Sequence, residues 1–147
     1  MTVHLIKLCV GVDTVQELKD WQVERLSQLA LAGKPSILCH RTLQTPRRRD
    51  ELLNGGSLYW VIKGLVAVRQ RVLDLMPDLK DDGTACCAIV LDAELVATHT
   101  QARRAFQGWR YLAAADAPPD GREVAAADDG IPRSMRAELR ELRLIDG

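Results

Sequence analysis

Short apolar segments joined by short turns fill the middle of the chain, and this pattern constrains the fold more than any other feature. Five of them follow in order: Ser57–Ile62, Leu65–Leu75, Ala85–Leu91, Leu95–Thr100 and Ala105–Leu112. In the first, Leu58 and Trp60 alternate with Tyr59, which is the two-residue period of a strand. Consecutive strands with short connections pair as antiparallel neighbours. The pattern therefore predicts an α+β fold, with an antiparallel sheet or a partly closed β-barrel and flanking helices.

The first third of the chain adds two further strands and a long helix. The two apolar, strand-like segments are Val3–Val12 and Ser36–Leu43. Between them, apolar residues recur near a 3.6-residue period from Val15 to about Leu31. Thr14, with Glu17 three residues later, matches the capping box that begins many helices. We therefore expect a capped helix that packs beside the sheet.

A short second helix and two turns complete the pattern. Thr45-Pro46 supplies an N-cap and a first-turn proline, and Asn54-Gly55-Gly56 supplies residues that can adopt positive φ, so a short helix is predicted between them. Gly64 predicts a turn, and Pro77–Thr84, which contains Asp82-Gly83, predicts another. The expected order of elements is β-α-β-α-β-β-β-β-β-α.

The length of 147 residues suits one domain with a sizeable core, so we predict a single domain over residues 1–147. Residues 113–130 are rich in Pro, Asp, Ala and Gly and are predicted to form a loop. Pro132 and the apolar spacing that follows it predict a terminal helix over residues 131–145. An apolar content of 47% with 27% charged residues excludes a disordered chain.

The N-terminus and the cysteines indicate the compartment. The first twelve residues lack the basic start of a signal peptide. No apolar run approaches the roughly 20 residues of a membrane span, so we expect no membrane partner. The cysteines are Cys9, Cys39, Cys86 and Cys87, and their spacing shows no disulfide framework. We interpret them as buried free thiols and expect a cytoplasmic protein.

Charge is distributed unevenly along a chain whose net charge is zero. Residues 41–71 carry seven Lys or Arg against two Asp or Glu, and residues 101–111 carry three against none. Residues 72–100, between these blocks, carry one against six. Such polarity can attract an anionic partner to a neutral molecule.

No metal or catalytic motif is present in the sequence. Zinc ligands usually lie two to four residues apart for Cys and three to five for His, and neither spacing occurs, so we expect no metal and no cofactor. Cys39 and His40 are adjacent, but neighbours on a strand face opposite ways and cannot form a nucleophile–base pair. Catalytic residues therefore stay unassigned.

Cations and aromatic residues together indicate an anion-binding surface. Arginines hold phosphate and rings stack on bases, as single-strand readers require. The candidate binding residues are Arg47, Arg48, Arg49, Lys63, Arg69, Gln107, Trp109 and Arg110. The structural alternative is that the arginines solvate a short helix and that Trp109 belongs to the core.

Three hypotheses about function stay open at this point. The first is a nucleic-acid-binding or nucleotide-binding module with a basic and aromatic groove. The second is a small enzyme acting on an anionic metabolite, with an acid from residues 74–94 as the base. The third is an adaptor that docks through its terminal helix. They imply as partner a nucleic acid, an anionic small molecule or another protein, and none specifies an oligomeric state.

Several stretches resemble an uncharacterised bacterial family found chiefly in alphaproteobacteria, the domain of unknown function numbered 1489. The stretches are HLIKLCVGVD (4–13), RRRDELLNGGSLYWVIKG (47–64), CAIVLDAELV (87–96) and FQGWRYL (106–112), with the VRQRVLDL that follows the second and the DAPPD that follows the last. The resemblance implies a bacterial cytoplasmic protein and no particular activity. The order of basic helix, glycine turn and hairpin in residues 47–75 is also similar to PUA-like domains of the EVE and ASCH types. That likeness implies a small pseudo-barrel that binds RNA or a modified base, although Gly56-Ser57 stands where those domains usually have an acidic residue.

Overall fold

The computed structural model describes residues 1–104 and 106–121, and in this part of the chain seven strands, two α-helices and one 3₁₀ turn are present. In chain order they are β1 (Val3–Leu8), α1 (Val15–Leu31), β2 (Leu38–Thr42), α2 (Arg49–Leu53), β3 (Ser57–Ile62), β4 (Leu65–Leu79), β5 (Ala85–Leu91), β6 (Val96–Ala102), β7 (Trp109–Ala113) and the 3₁₀ turn (Ala114–Asp116). The predicted order of strands and helices is confirmed up to β7. The predicted terminal helix over residues 131–145 lies outside the described residues, as does the 122–130 part of the predicted loop. Ala113, the first residue of that loop, instead ends β7.

Helix α1 begins as the sequence predicts. The Thr14 hydroxyl accepts a hydrogen bond from the Glu17 N–H at 3.1 Å, and the Glu17 carboxylate accepts one from the Thr14 N–H at 3.2 Å. This reciprocal pair satisfies two backbone donors that a helix start leaves without partners. The predicted capping box is therefore confirmed. At its other end, the helix stops before Gly33, which adopts a φ of 69°.

Helix α2 starts later than the sequence predicts. It begins at Arg49, and Arg48 occupies the N-cap position without a side-chain cap. The expected start at Thr45-Pro46 is wrong because the backbone N–H groups of Arg47 and Arg48 are used elsewhere. Both donate to the Tyr111 hydroxyl, at 2.7 and 3.0 Å, which holds residues 45–48 as a loop.

Strands β3 and β4 form a hairpin around Lys63 and Gly64. These two residues have φ values of 50° and 79°, the left-handed conformation that a tight two-residue turn requires. Every residue of β3 is buried, because side chains on both of its faces meet apolar partners. Strand β3 therefore lies at the centre of the core.

Strand β4 is longer than predicted. It continues through Pro77 to Leu79, whereas the sequence indicates a turn from Pro77 onwards. Strand β4 pairs with β3 only as far as Arg71, and from Val72 to Leu79 it pairs with β5. Pro77 lies opposite Cys87 in the pairing with β5, so the proline does not end the strand. The turn is thus limited to the residues around Gly83, which has a φ of 86°.

The seven strands form a mixed sheet. Six of them follow the order β2-β5-β4-β3-β1-β7, and β6 lies off this path. The β1–β3 pair is parallel, while the other pairs on the path are antiparallel. The expectation of an antiparallel sheet is wrong at this pair, because α1, β2 and α2 lie between β1 and β3 and form the long crossover that a parallel pair needs. The α+β class is confirmed. The sheet is not closed into a barrel, so the expected PUA-like barrel is not confirmed.

Two apolar clusters occupy the two sides of the β1–β3–β4 region. The first contains Leu5, Leu58 and Trp60 and takes in Leu18 of α1 and Leu52 of α2, so both helices cover this side. The second consists of Ile6, Tyr59, Val61, Val66 and Leu112, with Leu8, Phe106 and Ala117 packed against it. Alternation along β1 and β3 divides the residues between the clusters.

A buried, hydrogen-bonded glutamine, Gln70, lies on the side of the sheet that the first apolar cluster occupies. Gln70 is fully buried, and its side-chain oxygen accepts hydrogen bonds from the Trp60 indole N–H and from the Gln22 amide, both at 2.9 Å. Its own amide donates to the Gln22 oxygen and to the Asp92 carbonyl, also at 2.9 Å. Both ends of the Gln70 amide are therefore satisfied, as a buried polar group requires.

The chain divides into two compact units, Met1–Leu95 with Gln101–Ala117 and Val96–Thr100 with Pro118–Gly147. The described part of the second unit is a short antiparallel bridge, in which Thr98 pairs with Asp120. The Gly121 N–H donates to the Ala97 carbonyl at 2.9 Å in this bridge. Among the described residues, neither unit contains a helix with the length and apolar content to cross a membrane.

Candidate functional site

The predicted binding residues do not share one surface. The β1–β7 register places Trp109 opposite Lys7 and Arg110 opposite Ile6. Neighbours on a strand face opposite sides, so Trp109 packs against the first apolar cluster while Arg110 lies over the Phe106 ring of the second. The groove that the sequence suggests is therefore divided between two faces of the sheet.

On the helix side, β7 meets the loop before α2. The Trp109 indole N–H donates to the Gln44 carbonyl at 2.8 Å, and the Tyr111 hydroxyl receives the Arg47 and Arg48 N–H groups described above. The Arg48 guanidinium lies 5.3 Å from the Tyr111 ring centre, and the two aromatic rings are edge-to-face at 4.8 Å. Residues 44–48 and β7 thus meet here, while Arg110 of β7 faces the other side of the sheet. The polar atoms of both rings are used to hold the loop.

Arg49 has a structural partner on β4. Its guanidinium donates to the Leu75 carbonyl at 2.7 Å and to the Asp74 carboxylate at 2.6 Å. The Leu75 N–H, and then Arg49, hold the pKa of Asp74 below its usual value. Arg49 therefore ties α2 to the sheet, and this contact uses the charge that the sequence assigns to ligand binding.

Arg69 lies on the side of the sheet that the second apolar cluster occupies, in a group of polar side chains around Ser57. Its guanidinium donates to the Ser57 hydroxyl at 3.0 Å, and the Ser57 N–H donates to Nδ1 of His4 at 3.0 Å. Burial, and then the charge of Arg69, lower the pKa of His4. Lys63 is exposed at the hairpin turn, and Gln107 is exposed before β7.

A surface groove of about 430 Å³ lies beside the second apolar cluster. We name it the arginine groove after Arg103, Arg104 and Arg110, which line it together with Phe106. The Arg110 guanidinium lies 5.1 Å from the Phe106 ring centre. Of the described residues that line the groove, none is acidic. Positive charge therefore accumulates there beside an aromatic ring.

Backbone contacts connect the arginine groove to the hairpin turn. The Arg103 N–H donates to the Gly64 carbonyl at 2.8 Å, which brings the groove close to Lys63. The Arg103 guanidinium donates to the Gln101 side-chain oxygen at 3.0 and 2.7 Å, which orients it. In the sequence, Arg103 and Arg104 belong to the basic block of residues 101–111 and are not among the candidate binding residues named above. Their charge is visible in the sequence, but their position beside Arg110 depends on the fold.

A second cavity, of about 320 Å³, lies between α1 and the sheet. We name it the His40 cavity after His40, which lines it. Most of the other lining side chains are apolar, among them Leu18 and Trp60. Lys7 of β1 and Cys9, which follows β1, also line it. Burial raises the pKa of Cys9 to about 11, so its thiol is protonated at neutral pH. In the sequence His40 stands out only as a neighbour of Cys39, and the cavity beside it depends on the fold.

The cysteines differ in exposure. Cys86 and Cys87 are buried, Cys9 is half-buried and Cys39 is exposed, and all four are free thiols. The expectation of burial is therefore wrong for Cys39. Within the described ranges, no group of three or more His, Cys, Asp or Glu side chains is arranged to hold a metal ion.

Comparison with known proteins identifies a family without an assigned activity. Neither the curated proteins nor the solved structures yield a match to this chain. The family model described as protein of unknown function (DUF1489) matches residues 5–145, and the chain belongs to this family.

Proposed function

We propose that the protein binds single-stranded nucleic acid through the arginine groove. The observation that carries the proposal is the convergence of Arg103, Arg104 and Arg110 on one groove beside Phe106. Guanidinium groups form paired hydrogen bonds to phosphate oxygens, and their planes can also stack on bases. The Arg110 guanidinium, which lies over the Phe106 ring, supplies a plane on which a base can stack.

The charges near the groove set the expected strength of the salt effect. Arg103, Arg104, Arg110 and the neighbouring Lys63 could contact three or four phosphates of a single strand. Each neutralised phosphate contributes about −0.7 to the slope of log affinity against log salt concentration. A slope of about −2 to −3 is therefore expected for a short oligonucleotide.

Fluorescence anisotropy with a labelled single-stranded RNA of mixed sequence tests this proposal. The double variant Arg104→Ala with Arg110→Ala removes two groove cations and should weaken binding about tenfold or more, while reducing the salt slope by about 1.4. The matched control is Lys19→Ala with Arg25→Ala, which removes two exposed charges from α1. This control should bind almost as tightly as the unaltered protein.

Three outcomes contradict the proposal. The first is the absence of binding to RNA or single-stranded DNA at low salt. The second is equal weakening in the groove variant and in the α1 control. The third is a mononucleotide that competes as strongly per site as the oligonucleotide, which would instead favour a small-metabolite pocket. A metabolite panel in a thermal-shift assay would then become the next measurement.

A further inference from the structure

The His40 cavity combines apolar walls with the polar side chains of His40 and Lys7. Nε2 of His40 is buried and has no hydrogen-bond partner among the described residues. The His40 and Trp60 rings are edge-to-face, with centroids 5.2 Å apart and planes at 89°. A buried polar atom without a partner costs free energy, and this one belongs to a residue that lines the cavity.

Lys7 supplies a positive charge to the same cavity. Its charge reaches both His40 and Cys9, since it lowers the pKa of each after the larger effect of burial. For His40 the result is a pKa of about 4, so the ring is neutral at pH 7 and carries one N–H. The cavity is therefore lined by a lysine and by an uncharged imidazole.

The one amide side chain among the described lining residues, that of Gln22, is already hydrogen-bonded. Gln22 lines the cavity, but its amide pairs with Gln70 in both directions. Of the described lining residues, none is acidic, so no carboxylate of the cavity wall neutralises Lys7. Leu18, Leu38 and Trp60 offer apolar contact on the other sides.

We propose that the His40 cavity binds a small apolar monocarboxylate. The carboxylate lies between the Lys7 ammonium and Nε2–H of His40, and the apolar body packs against Trp60, Leu18 and Leu38. One ammonium group matches one negative charge, and a volume of about 320 Å³ is at the lower end of the range for small-molecule sites. The site lies on the helix side of the sheet and is separate from the arginine groove.

Titration calorimetry on the full chain tests the charge requirement directly. The probes are octanoate, phenylacetate and indole-3-acetate, each compared with its own carboxamide, which keeps the shape and removes the charge. At least one acid should bind about tenfold more tightly than its amide, as expected for a hydrogen bond to a charged group. Equal affinity of every acid and its amide, or no binding of any probe at millimolar concentration, would overturn the proposal.

Two variants locate the bound carboxylate, with circular dichroism used to verify that each is folded. Lys7→Met should reduce the acid-to-amide preference to about one, and His40→Phe should weaken acid binding while keeping the ring shape. Lys19→Met, on the exposed side of α1, is the control and should keep the preference. In the unaltered protein, the acid should raise the pKa of His40 seen by NMR, because an adjacent carboxylate favours the imidazolium form. A preference that survives Lys7→Met, or an unchanged His40 titration, would refute this assignment.

Discussion

Replacing Gln70 with leucine should destabilise the protein far more than the similar size of the two side chains suggests. Gln70 is fully buried and exchanges four hydrogen bonds with Gln22, Trp60 and the Asp92 carbonyl. Leucine fills the space but offers no partner, so the Trp60 N–H and the Gln22 amide lose theirs. Trp60 is 4% exposed and Gln22 is 5% exposed, so water cannot readily replace the lost partner.

The magnitude follows from the number of polar groups left without a partner. Each buried, unsatisfied donor or acceptor costs about 1–3 kcal/mol, and the apolar leucine returns part of that. We expect Gln70→Leu to lower the free energy of unfolding by about 3–5 kcal/mol. With a urea m-value of about 2 kcal/mol per molar, the unfolding midpoint should fall by about 2 M, measured by circular dichroism at unchanged m.

A double-mutant cycle with Gln22→Leu examines the cause of the loss. If the cost arises from unsatisfied partners, the second substitution removes one of them, and the double variant should be less destabilised than the sum of the single variants by about 1–2 kcal/mol. A Gln70→Leu midpoint within about 0.3 M of the unaltered protein, or strict additivity in the cycle, would refute this explanation.

Three further predictions concern the glycine turn, the helix cap and pH. Gly56→Ala should lower the free energy of unfolding in urea by about 2 kcal/mol or more, because the added Cβ would overlap the Leu52 and Val3 carbonyl oxygens. Gly55→Ala should lower it by only about 1 kcal/mol, because Gly55 has a φ of 85° but free space around it. Equal losses for the two variants would contradict the overlap. Thr14→Ala should cost about 1 kcal/mol by breaking the capping box, and an unchanged thermal midpoint would contradict this. The pKa of His40 is about 4 in the folded state and near 6.5 when unfolded, so the unfolded chain binds the extra proton first and stability should fall by about 2–3 kcal/mol as pH drops from 6.5 to 4. His40→Phe should flatten that part of the profile, and a slope that stays the same would assign the effect to other groups.

The elements that sequence analysis predicts well are those decided by neighbours in the chain. The β3 limits agree with the sequence prediction, since alternating apolar residues end at Lys63 and Gly64. Helix α1 is similarly local, because Thr14 and Glu17 cap it within one turn. Where an element depends on a distant partner the prediction fails, as at the start of α2, where the Tyr111 hydroxyl takes the backbone donors.

For the binding residues, too, the charge can be predicted from the sequence, whereas the position of each side chain depends on distant partners. Composition shows that residues 41–71 and 101–111 are basic, but not which side of a sheet each side chain occupies. That choice follows from register, because a shift of one residue would exchange Trp109 and Arg110 between the faces. The arginine groove and the His40 cavity both depend on such long-range pairings, since each brings together residues from distant parts of the chain.

The sequence by itself thus determined the number of strands up to β7, the first helix and the α+β class, because periodicity, caps and turn residues act over a few positions. The tertiary structure alone decided the parallel β1–β3 pair, the continuation of β4 through Pro77 and the division of the basic residues between two faces. These features depend on which strands meet across the sheet, and that is set by burial of the whole apolar surface rather than by any local pattern.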